Sequence, residues 1–180
     1  MPEKILPLAV DLDGTLIKTD VFYETFVLFL KQHPFKVFML VLWWLKARAY
    51  LKKRLAELVT LDPASLPYHK NFLAYLKQEH LKGRKIVLAT AADLKIAVAI
   101  SNYIGIFDSV LASNGVINLK SHAKAGKLVE LYGKNGFVYA GNARADLPVW
   151  AAAKETVIVN APQWLIDKQR ATGKPMQVFE

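Results

Sequence analysis

Ile5-Leu6-Pro7-Leu8-Ala9-Val10-Asp11-Leu12-Asp13-Gly14-Thr15 joins a short apolar run to a pair of acids. Ile5 to Val10 is too short for a helix and reads as a buried strand. It runs straight into two carboxylates two residues apart and then a glycine. Asp-Gly pairs are ordinary turn formers, so one reading is a strand that ends in a polar turn. The other is a compact site for a metal ion and a phosphate at a strand end. The rest of the chain decides between them.

Downstream, apolar segments of strand and helix length alternate. Asp20 can cap a helix from Val21 to about Gln32, with Phe22, Phe26, Phe29 and Leu30 at helical spacing. His33-Pro34 interrupts it. One helix is predicted over roughly 35–59; every residue from Val37 to Leu45 is apolar, and Lys46, Arg48, Lys52, Lys53 and Arg54 follow. An all-round apolar half must be covered on more than one side. Three readings stand for it: a helical subdomain packed on itself, a membrane-surface segment, and docking against a partner helix or second copy. Tryptophans beside Lys/Arg suit the membrane interface.

After the breaks at Asp62-Pro63 and Leu66-Pro67, a helix is predicted from Tyr68 to about Leu81, then a strand from Ile86 to Ala89 ending at Thr90. Next come a helix over Ala92 to Ile104, a strand over Ser109 to Ala112, and a helix over His122 to Tyr132. The last elements are a strand over Phe137 to Ala140 ending at Gly141, a helix over Asp146 to Lys154, and a strand over Thr156 to Val159. Beyond Pro162 the tail is mixed, with little periodicity. Such alternation argues for a parallel α/β sheet with helices on both faces, where ligands bind beyond the carboxyl ends of the strands. A helical insertion at 21–67 interrupts that α/β core of residues 1–20 and 68–180.

At that sheet edge the strands offer Asp11 and Asp13, Thr90 with Ala91 and Ala92, and Gly141-Asn142 with Asp146, and Lys124 opens a nearby helix. Carboxylates, a hydroxyl, a lysine and an amide oxygen suit phosphoryl transfer with a hard cation. Mg2+ takes oxygen ligands and few protein carboxylates. Lys127 competes with Lys124 for the phosphate; Lys124 is preferred from its place relative to Leu128. Arg144 reads equally as an anion contact or a surface residue. His33, His69, His80 and His122 lack metal-ligand spacing and read as structural or surface residues.

In order and spacing, these four elements resemble the motifs of haloacid-dehalogenase-superfamily phosphohydrolases, from Ile5 to about Asn160. The 79 residues from Asp11 to Thr90 leave room for the small cap that superfamily often inserts. The strings LPLAVDLDGTL, LPYHKNFLAYL, IVLATAADLKIA and YAGNARADLPVWAAAK further resemble the N-terminal phosphatase-like domain fused to bacterial UbiA-type prenyltransferases. The resemblance implies Asp11 as nucleophile and Asp13 as general acid and base. Thr90, Ala91 backbone groups at a helix start and Lys124 would hold the phosphoryl group. Mg2+ would lie on Asp11, the Asp13 carbonyl, Asn142 and Asp146. It also implies a phosphorylated small molecule or prenyl-linked phosphate as substrate. The expected place is cytoplasmic, at or near the membrane face, beside a membrane-embedded prenyltransferase. Asn142 departs from the superfamily's usual Asp, which removes one negative charge from the metal site.

The bulk numbers set limits. The 180 residues are one domain's worth, 53% apolar and 22% charged, which excludes a disordered tail. No cysteine is present, so disulfides and thiolate metal sites are excluded. The net charge of +9 favours an anionic partner, or is simply a basic surface. Nucleic-acid binding rests on that charge alone and is disfavoured. Met1 to Pro7 carries no signal-peptide apolar stretch, and no uninterrupted run approaches the ~18–20 apolar residues of a spanning helix.

Overall fold

The structure, a computed structural model, describes residues 5–180. The readings of Met1 to Pro7 and of the start of the core therefore lie partly outside the described residues. The strands are Leu8–Val10 (β1), Ile86–Asp93 (β2), Ser109–Ser113 (β3), Val138–Gly141 (β4), Glu155–Val159 (β5) and Met176–Phe179 (β6). They form one sheet in the order β3-β2-β1-β4-β5-β6, and every pairing is parallel. Val10 sits level with Leu88 of β2 and Ala140 of β4. The chain turns to opposite sides of β1 at this point, so a crevice opens beyond its carboxyl end.

The helices are Val21–Gln32 (α1), Val37–Lys46 (α2), Arg48–Leu58 (α3), Lys70–Leu81 (α4), Leu94–Ile104 (α5), His122–Tyr132 (α6), Leu147–Ala152 (α7) and Gln163–Arg170 (α8). Alternate strand residues face opposite ways. Leu8, Val10, Leu88 and Ala140 pack with Phe72 and Leu76 of α4 and Ile96 and Ile100 of α5. On the other face Ala9, Val87, Tyr139 and Ile158 pack with Leu128 of α6, Trp150 of α7 and Leu165 of α8. The fold is the expected parallel α/β sheet with helices on both faces, a Rossmann-like arrangement. A third cluster, Phe29, Leu40, Trp43, Leu51, Leu55 and Val59, joins α1, α2 and α3 between β1 and β2.

Several expected boundaries move. The single helix over 35–59 is a 3-10 turn at Pro34–Lys36 followed by α2 and α3, parted at Ala47, whose backbone is extended (φ −176°, ψ 151°). No glycine or proline lies there. The break lets Leu51, Leu55 and Val59 return onto Phe29, Leu40 and Trp43, and packing of that kind overrides local propensity. β1 is shorter than read because Pro7 has no N–H to pair; its carbonyl accepts from Val138 N–H at 2.9 Å.

β2 runs on to Asp93 through a register irregularity beside Ser113. Asp93 then caps α5 by accepting from Lys95 N–H at 3.0 Å. Ala91 is therefore strand, not the start of a helix as expected. Around Asp146 the chain forms a 3-10 turn, Arg144–Asp146, before the short α7. The tail holds α8 and the edge strand β6. Only Leu165 and Gln169 are buried on α8, and no residue of β6 is buried, so neither carries strong periodicity.

Candidate active site

Asp11 leaves β1 with its N–H donating to the Ala140 carbonyl at 2.9 Å, which fixes it between β1 and β4. The chain then curls tightly: the Leu12 carbonyl accepts from Leu16 N–H at 3.0 Å and Ile17 N–H at 3.1 Å. Gly14 makes the curl with φ +72°, and a Cβ there would collide with the Asn142 amide. Asn142 follows β4 and accepts from the Thr15 hydroxyl at 3.3 Å. The two strand ends thus interlock.

Asp13 Oδ1 accepts from Val21 N–H at 2.8 Å, while Asp20 caps the same helix through Phe22 N–H at 2.7 Å. Lys124 comes from the first turn of α6. Its Nζ donates to Asp11 Oδ1 at 2.7 Å and to the Tyr139 hydroxyl at 2.8 Å. Tyr139 in turn donates to Asp146 Oδ1 at 2.7 Å. Asp146 Oδ2 accepts from Asn142 N–H and Ala143 N–H, both at 3.0 Å. Gly141 permits this approach, since a Cβ there would lie 2.7 Å from the Asp146 carboxyl carbon.

Asp11, Asp13, Lys124, Asn142, Asp146 and Ala91 line one cavity of about 370 Å3. Thr90 is fully buried outside that lining, and its hydroxyl oxygen accepts from Ala92 N–H at 2.9 Å. Lys127 is turned away and pairs with Glu130. Arg144 does not line the cavity.

Burial pushes the Asp13 carboxyl up to about 7, helped by the negative charges of Asp20 and Asp11 and opposed by Val21 N–H and Lys52. Burial also raises Asp11 to about 6; Lys124 opposes this and Asp146 adds to it. The Tyr139 hydroxyl is driven well above its ordinary value by burial and by Asp11 and Asp146, so it remains a donor. A carboxyl near neutrality next to a more acidic one is what an acid/base and a nucleophile require.

Four contributors escaped the sequence reading. Tyr139 looked like one more core residue of β4; its spacing of two from Gly141, which puts both on one face, was the only signal. Lys52 reaches the cavity from α3 and donates to the Ala91 carbonyl at 2.7 Å. Burial lowers its pKa. Lys120 and Ser121 also line the cavity, and Ser121 holds a positive φ of 52°. Nothing in the sequence marks these two.

The side chains that could hold a cation from the cavity wall, Asp11, Asp13 and Asn142, all offer oxygen. Such a set fits Mg2+, which keeps several waters of its own. Both Asp146 oxygens already accept protein hydrogens, so Asp146 anchors the Asn142 turn, Tyr139 and Lys124. Among the described residues there is no cluster of three His, Asp or Glu able to hold a metal by itself.

Solved structures share this architecture. A haloacid-dehalogenase family hydrolase of Salmonella enterica serovar Typhi superposes with TM-score 0.65 at 13% identity, over 92% of this chain and 67% of that one. The chain has the haloacid-dehalogenase fold. A phospho-aspartyl intermediate analogue of phosphoserine phosphatase aligns with TM-score 0.63 at 16% identity, over 98% and 94% of the two chains. A predicted phosphoglycolate phosphatase of Haemophilus somnus gives 0.63 at 15%, over 100% and 96%. These identities carry the haloacid-dehalogenase fold and no more. No family model matches the chain. In sequence it is 38% identical over 171 residues to the uncharacterized protein y4nM of Sinorhizobium fredii, covering 95% of this chain. The chain spans 33% of that relative's length.

Proposed function

We propose that the chain is a Mg2+-dependent phosphohydrolase that turns over a small or lipid-linked phosphate ester through an aspartyl-phosphate on Asp11. The observation that supports this most is the pairing of Asp11 with Lys124 at 2.7 Å in a cavity that also holds Asp13, pushed up to about 7. Four lysines (Lys18, Lys52, Lys120 and Lys124) line the same cavity, which suits a phosphate dianion.

The Asp11 carboxylate attacks phosphorus, and the bond to the ester oxygen breaks. Asp13 passes its proton to the leaving oxygen. Water then attacks phosphorus while Asp13 takes a proton from it; the acyl-phosphate bond breaks, Asp11 is restored and inorganic phosphate leaves. Lys124 has three hydrogens, of which two go to Asp11 and Tyr139. The third is left for a phosphoryl oxygen. Mg2+, held by Asp11, the Asp13 carbonyl and Asn142, would offset the repulsion between carboxylate and phosphate dianion.

A second reading, a module of the same fold with little or no turnover, has Asn142 in its favour, because the amide leaves the metal site one charge short. Hydrolysis of p-nitrophenyl phosphate with and without Mg2+ separates the two. Metal-dependent hydrolysis lost in Asp11→Asn supports the phosphohydrolase; activity unchanged by Asp11→Asn overturns it. The expected membrane prenyltransferase neighbour remains part of this proposal. The greater length of the Sinorhizobium relative is compatible with it.

A further inference from the structure

The helix α2 is covered on one side only. Leu40 and Trp43 are buried against Phe29 and α3, where Phe29 and Trp43 meet edge to face at 5.7 Å between ring centroids. The opposite side is open: Phe38 is 66% exposed and Leu45 68%, with Val41, Leu42 and Trp44 each more than half exposed, and Phe35 just before the helix is 92% exposed. Six large apolar side chains on the eleven residues from Phe35 to Leu45 form a patch of the kind that marks an interaction site.

Charge says what covers it. From Thr25 to Ala56 there is no acidic residue, while Lys31, Lys36, Lys46, Arg48, Lys52, Lys53 and Arg54 all fall in that span. Lys36 and Lys46 bracket α2, and both are exposed, as are Lys31 and Arg48. An apolar surface on a span that carries seven cations and no carboxylate of its own, with Asp20 only in the cleft beside Trp44, is complementary to a bilayer with anionic headgroups. Ten residues of helix span about 15 Å, half of a ~30 Å hydrocarbon core. Helix α1 and the segment Pro34–Lys46 meet at 110°. Such a helix lies in the interface rather than crossing it, with the remainder of the protein as its polar face.

We infer that the Phe35-to-Leu45 face is a docking surface that seats in an anionic lipid bilayer. The seat is next to the candidate active site. Trp44 and Arg48, with Phe22 and Leu51, line a second cleft of about 320 Å3 that shares Asp20, Lys52 and Lys120 with the Asp11 cavity. Docking therefore brings a mouth of that cavity to the headgroup layer. The inference stands on the patch and its charge, independently of the phosphohydrolase reading.

The test is co-sedimentation of the protein with vesicles of phosphatidylcholine plus phosphatidylglycerol, and with vesicles of phosphatidylcholine alone. Binding is expected to the anionic vesicles and to weaken strongly without phosphatidylglycerol. Phe38→Glu/Leu42→Glu removes two exposed anchors and lowers binding by more than about tenfold. Leu81→Glu on α4, 85% exposed and on another element, leaves it unchanged. Because these positions are exposed, unchanged melting temperatures verify that both variants fold. No sedimentation, equal binding to both vesicle types, or binding that survives Phe38→Glu/Leu42→Glu overturns the inference. So does a wild-type dimer that the double variant converts to monomer without any vesicle binding, which would make a second copy the occupant.

Discussion

The Tyr139 hydroxyl donates to Asp146 Oδ1 at 2.7 Å from inside the sheet, and both residues are buried. The same oxygen accepts Lys124 Nζ, so one phenol ties the lysine beside Asp11 to the turn that carries Asn142. Tyr139→Phe keeps the ring against Trp150 and leaves Asp146 and Lys124 each one partner short. A buried polar group left without its partner costs about 1–3 kcal/mol. The urea midpoint should fall accordingly, and kcat for p-nitrophenyl phosphate should fall while KM changes little. An unchanged midpoint and rate would remove Tyr139 from the network.

The pH profile follows from two carboxyls. The proposed first step needs Asp11 ionised and Asp13 protonated, so with Asp11 near 6 and Asp13 near 7 the rate should peak between these values. Cation binding at Asp11 moves the acid limb lower. Asp13→Asn should abolish turnover and also raise stability at alkaline pH. The sign is fixed by linkage: folding lifts Asp13 from 3.8 to about 7, so its charged form is destabilised when folded. That penalty is fully present above pH 7, shrinks as pH falls, and is gone below about 4. The variant should therefore gain on the order of 2 kcal/mol or more at pH 8 and nothing near pH 4. Thermal melts at both pH values check this. Equal shifts at the two contradict it.

Asn142 is the third case. Its side chain already lies against Gly14 and accepts from Thr15, so Asn142→Asp adds a charge with almost no change of shape. Ligand charge sets divalent-cation affinity over decades. The Mg2+ concentration for half-maximal hydrolysis should drop roughly tenfold. An unchanged Mg2+ dependence would mean that residue 142 is no ligand.

Much of this was legible because local signals agreed with the fold. The apolar run before Asp11, the Asp20 cap, and Gly105 after α5 each mark an element end, and the structure places ends there. The break at Ala47 was not legible, because its cause is contact between α2, α3 and Phe29 rather than any residue at the break. That break also brings Lys52 to the cavity, so missing one meant missing the other. Asp11, Asp13, Lys124 and Asn142 stood out as polar groups at strand or helix ends. Tyr139 did not, since its hydroxyl takes part only through Lys124 and Asp146, which lie 15 and 7 residues away. Thr90 sat at the expected strand end, but β2 continues past it and turns its hydroxyl to the Ala92 amide.

In the proposed reaction Asp11 carries the phosphoryl group. Acid quenching of the protein during turnover of a 32P-labelled phosphate ester with Mg2+ tests it directly. Label is expected on the Asp11 peptide, released by hydroxylamine as an acyl phosphate is, and absent from Asp11→Asn. Hydrolysis that proceeds with no covalent label, or label retained in Asp11→Asn, would contradict it.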